Sequence, residues 1–220
     1  MTDDPEPVDS RRWEINSAIT GAWGAGQANV GVPTIDINYG ALPDVQLHAQ
    51  PRYSYVKDDA GGRHGLDDTE LGVKFRLVNL KEGETQTMVG VYPMYEAATG
   101  AKRLGEDRGR QQIFLPVWIQ ENVGRWTVYG GAGYRFNRFP QGKNSIFTGI
   151  TALYAVSDRL QLGGEAFGES AVTSDGVRSR GANVGGTIKL TESLSLLISA
   201  GRLQSAGSQA MAYLGLQAHF

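Results

Sequence analysis

The sequence predicts an all-β protein, a closed antiparallel up-and-down transmembrane β-barrel of about 12 strands. Three observations predict it. The chain closes on Tyr213-Leu214-Gly215-Leu216-Gln217-Ala218-His219-Phe220, in which Leu214, Leu216, Ala218 and Phe220 share one face and Tyr213, Gly215, Gln217 and His219 the other. The same period-2 alternation recurs near 12–23, 30–39, 45–55, 66–78, 86–96, 111–121, 126–136, 145–155, 160–168, 180–190, 194–202 and 210–220. Composition agrees: 30 glycines, 9% aromatics and no cysteine favour strands and turns, and no apolar run is long enough for a transmembrane helix. A mean hydropathy of -0.30 does not exclude a membrane, because the two faces of each strand cancel.

An even strand number suits a single-chain barrel. The connections alternate in length. Those at 40–44, 122–125, 156–159 and 191–193 are short, and those at 56–65, 97–110 and 169–179 are long, the asymmetry of periplasmic turns and extracellular loops. The 79–85 turn and the 24–29 loop depart from that rule.

Parity assigns the outward faces. Leu71, Val73, Phe75 and Leu77 share one, as do Ile113, Leu115, Val117 and Ile119, and Trp126, Val128, Ala132, Tyr134 and Phe136. Outward aromatics fall near strand ends, with Trp13, Tyr39, Trp126 and Phe220 on the turn side and Trp23, Tyr53, Tyr55, Tyr95, Tyr134 and Phe136 on the loop side. Rings at two heights are what two membrane interfaces require. The 145–155 strand is ambiguous, since Ile146, Ile150 and Tyr154 compete with Phe147 and Leu153 for the outward face.

The opposite parity points polar residues into the lumen. Glu14, Asp36, Glu70, Lys74, Arg76, Arg135 and Glu165 are the candidate constriction residues, acting by charge and hydrogen bonding. Asn16, Asn38, Gln46, His48 and Asn183 accompany them. A different sector is aromatic, and Tyr92, Trp118 and Tyr129 are its candidate surface for stacking a solute. The alternative for both sectors is a bore merely filled by salt bridges and rings. Pro93 and Pro116 sit at similar height on neighbouring strands, and each removes a ladder donor, so a bend or bulge is expected there.

Several short stretches resemble outer-membrane barrel proteins described as transporters of the phenol-degradation (MetA-pathway) type. They are Trp13-Glu14-Ile15-Asn16, Asp36-Ile37-Asn38-Tyr39-Gly40, Leu71-Gly72-Val73-Lys74-Phe75-Arg76, Leu162-Gly163-Gly164-Glu165, Asn183-Val184-Gly185-Gly186, Ser199-Ala200-Gly201-Arg202 and Tyr213-Leu214-Gly215-Leu216. The resemblance implies a bacterial outer-membrane location and passage of small, aromatic or amphipathic molecules. Family knowledge also implies that the strand ending at Phe220 is read by the barrel-assembly machinery.

The acidic, proline-bearing segment 1–11 has no basic or apolar region of a secretion signal. It is expected to be a flexible periplasmic tail left after signal removal. Net charge of -2 with scattered basic residues gives no nucleic-acid footprint. No catalytic residue, metal site or cofactor is expected. His48 and His219 face inward and His64 lies in a loop, so no Ser-His pair stands on the outer wall for an outer-membrane lipid hydrolase. Asp58-Asp59 and Asp67-Asp68 flank a loop as solvated charge. The expected partners are outer-membrane lipid and a small solute, and the expected state is a monomer. A plugged structural or surface-interaction barrel and a soluble β-barrel carrier, which would invert the two faces, are the competing readings.

Overall fold

A computed structural model describes residues 2–24, 26–105, 109–139 and 141–220. Fifteen strands form one antiparallel sheet that closes on itself: β1 (Trp13–Gly24), β2 (Gln27–Leu42), β3 (Val45–Gln50), β4 (Arg52–Asp58), β5 (Gly61–Leu66), β6 (Thr69–Glu82), β7 (Thr85–Val91), β8 (Met94–Ala97), β9 (Gln111–Val123), β10 (Trp126–Arg138), β11 (Ser145–Ser157), β12 (Leu160–Glu169), β13 (Ser179–Lys189), β14 (Leu194–Gln204) and β15 (Ser208–His219). Three neighbouring pairs, β3 with β4, β5 with β6 and β7 with β8, are each one wall strand interrupted, so the barrel has 12. The interruptions have local causes. Pro51 separates β3 from β4, and Tyr92-Pro93 separates β7 from β8, because a proline cannot donate to the ladder. The bend expected around Pro93 is present, with Val73 donating to the Pro93 carbonyl at 3.1 Å across the gap.

Closure joins first strand to last. β1 pairs with β15 from Glu14–His219 to Trp23–Ala210, and Trp13 and Phe220 exchange backbone hydrogen bonds of 3.0 and 3.2 Å. The hairpin of β4 and β5 runs on where the sequence suggested a long loop, so the connection there narrows to residues 59–60. β6 likewise continues to Glu82, which leaves a two-residue turn. Every turn on the side of the chain ends is therefore short, and the long loops 98–110 and 170–178 lie at the other end.

The faces follow the parity read from the sequence. Leu71, Phe75, Leu77, Leu115, Val117, Ile119, Trp126 and Tyr134 are exposed on the outside. The ambiguous strand β11 is resolved: Ile146 and Ile150 are 54% and 56% exposed, while Phe147 is 4% exposed and faces in. Outer rings pair at both heights, Trp13 with Tyr39 at 4.5 Å and Trp126 with Tyr154 at 4.9 Å near the turns, Tyr134 with Phe136 at 4.8 Å near the loops. The buried apolar core lies inside the barrel, as Tyr92, Phe114, Trp118 and Phe147 with Met94 and Phe167 against them. Such a wall is at home only in lipid, where every backbone donor and acceptor must be paired within the protein.

A single pleat decides which substitutions this wall tolerates. Ile198→Arg, facing out near mid-height, is expected to cost about 2–4 kcal/mol in lipid. Ser199→Arg, one residue on and facing in, should cost less than half as much. Reversible urea unfolding in liposomes measures both.

Candidate functional site

The lumen is built from inward positions, and its charged sector lies on β1, β2, β3 and β6. Asn16 Nδ2 donates to Glu14 Oε1 at 3.1 Å and Asp36 Oδ2 at 3.4 Å. Asn38 Nδ2 donates to Asp36 Oδ1 at 3.0 Å, and Gln46 Nε2 donates to Asn38 Oδ1 at 2.6 Å. His48 lies between two carboxylates, with Nδ1 2.9 Å from Asp36 and Nε2 3.5 Å from Glu70. Strand pairing makes this sector, because Glu14–Asn38, Asn16–Asp36 and Asn38–His48 are direct cross-strand partners on the inner face.

The segment before β1 occupies the bore. Its position differs from the flexible periplasmic tail that its composition suggests, and the reason is a set of complementary partners on the wall. Arg11, with φ of 65°, turns the chain at the barrel rim, its amide donating to Gly40 O at 2.6 Å. Residues 9 back to 2 then run inward. Val8 N donates to Gln46 Oε1 at 2.8 Å, and Gln120 Nε2 donates to Glu6 Oε2 at 3.4 Å. Thr2 N donates to Glu165 Oε1 at 2.6 Å, whose other oxygen accepts from Asn183 Nδ2 at 2.8 Å. Lys74 is the anchor: its ammonium donates to Asp3 Oδ1 at 3.0 Å and to Asp4 Oδ1 and Glu6 O at 3.4 Å, and it stands 5.0 Å from the Tyr92 ring centre. Two glycines make room, since a Cβ at Gly40 would collide with the Asp9 carbonyl and one at Gly149 with the Thr2 hydroxyl.

The candidate constriction residues therefore divide into groups. Glu14, Asp36 and Glu70 belong to the network around His48, while Lys74 and Glu165 hold the tail. Arg76 stands near the turns, held by Asp44 at 2.6 Å. Arg135 stands near the loops, paired with Glu169 at 3.0 Å and lying 4.5 Å from the Phe114 ring centre. Of the stacking candidates, Tyr92 and Trp118 are packed inside the ring cluster, at 2% and 0% exposure, whereas Tyr129 is only half-buried and outside it. Phe147 is the central ring that sequence reasoning missed, edge-on to Phe114 at 6.0 Å and Trp118 at 6.3 Å and stacked on Phe167 at 6.0 Å. Pairing Phe147 against Gly133 and Glu169 was the signal that fixes its face.

Asp67 and Asp68 are not solvated loop charge. They are buried, Asp67 accepting from Ser54 Oγ at 2.6 Å and Asp68 from Gly100 N at 2.6 Å and Gly109 N at 2.9 Å. Asp68 fastens Gly100 and Gly109 to the wall.

Between tail and wall a polar cavity of about 1010 Å³ remains, open at the turn end and lined by Glu14, Asp36, His48, Lys189 and His219 among others. Along β12–β15 the inward positions Gly163, Gly185 and Ser199 are small, while the Phe167 and Tyr213 rings project inward over Gly181 and Gly215.

No family model and no curated protein matches the chain. Solved structures do match in fold. The COG4313 outer membrane channel from Pseudomonas putida F1 superposes with a TM-score of 0.75 at 15% identity, over 100% of this chain and 99% of that one. The NanC porin gives 0.65 at 8% identity over 93% and 98%, and the KdgM porin 0.60 at 11% over 93% and 99%.

Two outcomes follow for the tail. Lys74→Met removes the buried partner of Asp3 and Asp4 and is expected to weaken docking by about 1–3 kcal/mol, so that a spin label on Thr2→Cys loses at least half of its immobile fraction. Enclosure in the bore pushes the Asp4 carboxyl up to about 6, against the pull of Lys74. The docked tail then binds a proton more readily than a free one, so docking strengthens as pH falls from 6 towards 4 and weakens as pH rises through 6. Asp4→Asn should remove that pH dependence of the same spectrum.

Proposed function

We propose that this chain is a bacterial outer-membrane channel for passive passage of small solutes, with the N-terminal segment setting the free cross-section. The observation that carries the reading is a closed wall, apolar outside, around a polar interior that keeps an open cavity beside a removable peptide. Beyond its continuity with β1, the peptide is held in the interior by hydrogen bonds and ion pairs with Lys74, Gln46, Gln120 and Glu165 and by the packing of Pro5 against Gly90. The likeness in shape to an outer membrane channel and two porins supports the same reading.

Selectivity in this reading comes from two sectors. Glu14, Asp36 and Glu70 give the turn-side vestibule an acidic lining that favours cations and polar donors. Tyr129 offers a half-buried ring on the inner face of β10, and Tyr92 and Trp118 join it as a stacking surface for a small aromatic solute once the tail withdraws from Lys74. A structural barrel permanently filled by its own N-terminus is the second reading, favoured by the depth to which Pro5 is buried.

Single-channel recording in planar bilayers separates them. The intact chain should show small conductance, and a chain lacking residues 2–9 should show at least a threefold larger one. Ser199→Trp in the shortened chain should bring it down by about half. Equal, negligible conductance from intact and shortened folded proteins would contradict the channel reading.

A further inference from the structure

The outer wall carries a pattern in its charges as well as its apolar residues. Strand pairing fixes the outward register, and among the described residues few charged side chains stand in it. At the loop end they are Lys57, opposite Ala28, Arg138, two residues beyond Phe136, and Arg180 and Arg202, on either side of Ala182. At the turn end they are Glu82, opposite Thr85, and Glu121, opposite Thr87. At these outward strand positions the loop end is thus cationic and the turn end anionic, with Arg125 and Arg159 lying in the turns beyond them.

The cations concentrate on one side. Arg178 and Arg180 line a hollow of about 960 Å³ whose remaining rim includes Ser170, Gln204 and Ser205, with Ile146 and Val177 on its apolar side. Arg202 is the diagonal neighbour of Arg180 across the β13–β14 ladder. Among the described residues neither Arg178 nor Arg180 has an acidic partner, and Arg202 donates only to Ser208 Oγ at 3.4 Å. Glu169 borders the hollow, but its carboxylate is engaged by Arg135 and Ser145.

Below the hollow the outward side of β12 is small, with Gly164, Ala166 and Gly168 flanked by Ile146 and Ile150 on β11 and by Val184 on β13. The result is a shallow apolar trough that runs down the wall from beneath three arginines. Guanidinium groups bind phosphate oxygens in bidentate fashion, and a trough of small residues between β-branched ones accommodates a hydrocarbon chain.

We propose that this hollow and trough bind a phosphorylated glycolipid of the outer leaflet, its phosphate on Arg178, Arg180 and Arg202 and one acyl chain along Gly164 and Ala166. The assignment rests on the outer-membrane reading above. It also orients the barrel, loops outward, without recourse to loop length.

Binding to the refolded barrel in detergent is measured by native mass spectrometry with three probes: diphosphorylated lipid A, the same lipid chemically dephosphorylated, and inorganic phosphate. The expected result is saturable binding of lipid A that weakens at least tenfold on dephosphorylation. It should weaken at least tenfold in Arg178→Gln/Arg180→Gln/Arg202→Gln and stay within twofold in Arg125→Gln/Arg159→Gln, which alters the turn end. Equal binding of the dephosphorylated lipid, competition by millimolar phosphate alone, or a triple variant within twofold of the native protein would each overturn the site. The probe comparison on native protein holds if the variant fails to fold. Conductance of the shortened chain is recorded in parallel: loss of lipid binding with conductance intact removes only the headgroup site, and the converse removes only the channel.

Discussion

The constraint on which the rest depends is that every backbone donor and acceptor in a lipid-embedded wall must find a partner inside the protein. A sheet meets it only by closing, which here means β1 on β15 with Trp13 and Phe220 sharing the last two hydrogen bonds. Closure fixes which residues alternate inward, and the pleat then sorts the sequence into an apolar outside and a polar inside without further instruction. Where the ladder cannot be kept, at Pro51 and Pro93, neighbouring backbone groups bridge the gap instead.

An inside so defined is a problem of its own, since a charged sector facing a ring cluster cannot pack against itself. The tail resolves it. Asp3 and Asp4 supply the carboxylates that buried Lys74 lacks on its own wall, and Pro5 fills space against Gly90. The peptide is thus part of the interior's packing while remaining a separate segment tied by polar contacts. In the channel proposed above, releasing the peptide means breaking the ion pairs of Lys74 with Asp3 and Asp4 and leaving that buried ammonium without a carboxylate. The docked peptide reaches from Gln46 and Lys74 across to Glu165 on β12, and the cavity left beside it opens at the turn end between peptide and wall.

Much of this is legible in the sequence. The strand number, the outward sets such as Leu115, Val117 and Ile119, and the inward set of Glu14, Asp36, Glu70 and Lys74 follow from a period of two, which survives any uncertainty in strand ends. Four features were not legible, each for a physical reason. Phe147 and Ile146 are both apolar, so alternation cannot choose between faces until Phe147 is paired across from Gly133. Arg76 and Arg135 share the inward parity of Lys74, yet parity carries no height, and their partners Asp44 and Glu169 hold them at opposite ends. The tail reads as disordered because its composition cannot make a core by itself; its partners, Gln46, Lys74 and Glu165, come from three distant strands. Asp67 and Asp68 escape the sequence reading for a similar reason, since Asp67 accepts from Ser54 on another strand and Asp68 from loop amides more than 30 residues away.

The central claim is that the N-terminal segment docks on the lumen wall and limits passage there, and a reversible tether tests it most directly. The chain has no cysteine, and a Cβ at Gly149 would stand 3.1 Å from Thr2 Cβ, close to disulfide spacing. In a Thr2→Cys/Gly149→Cys protein that also carries Lys74→Met, so that the untethered tail is released, single-channel conductance under oxidising conditions should be low and steady, and reduction should raise it at least twofold within the same recording. Conductance that does not change on reduction, in protein shown to carry the disulfide, would contradict the account.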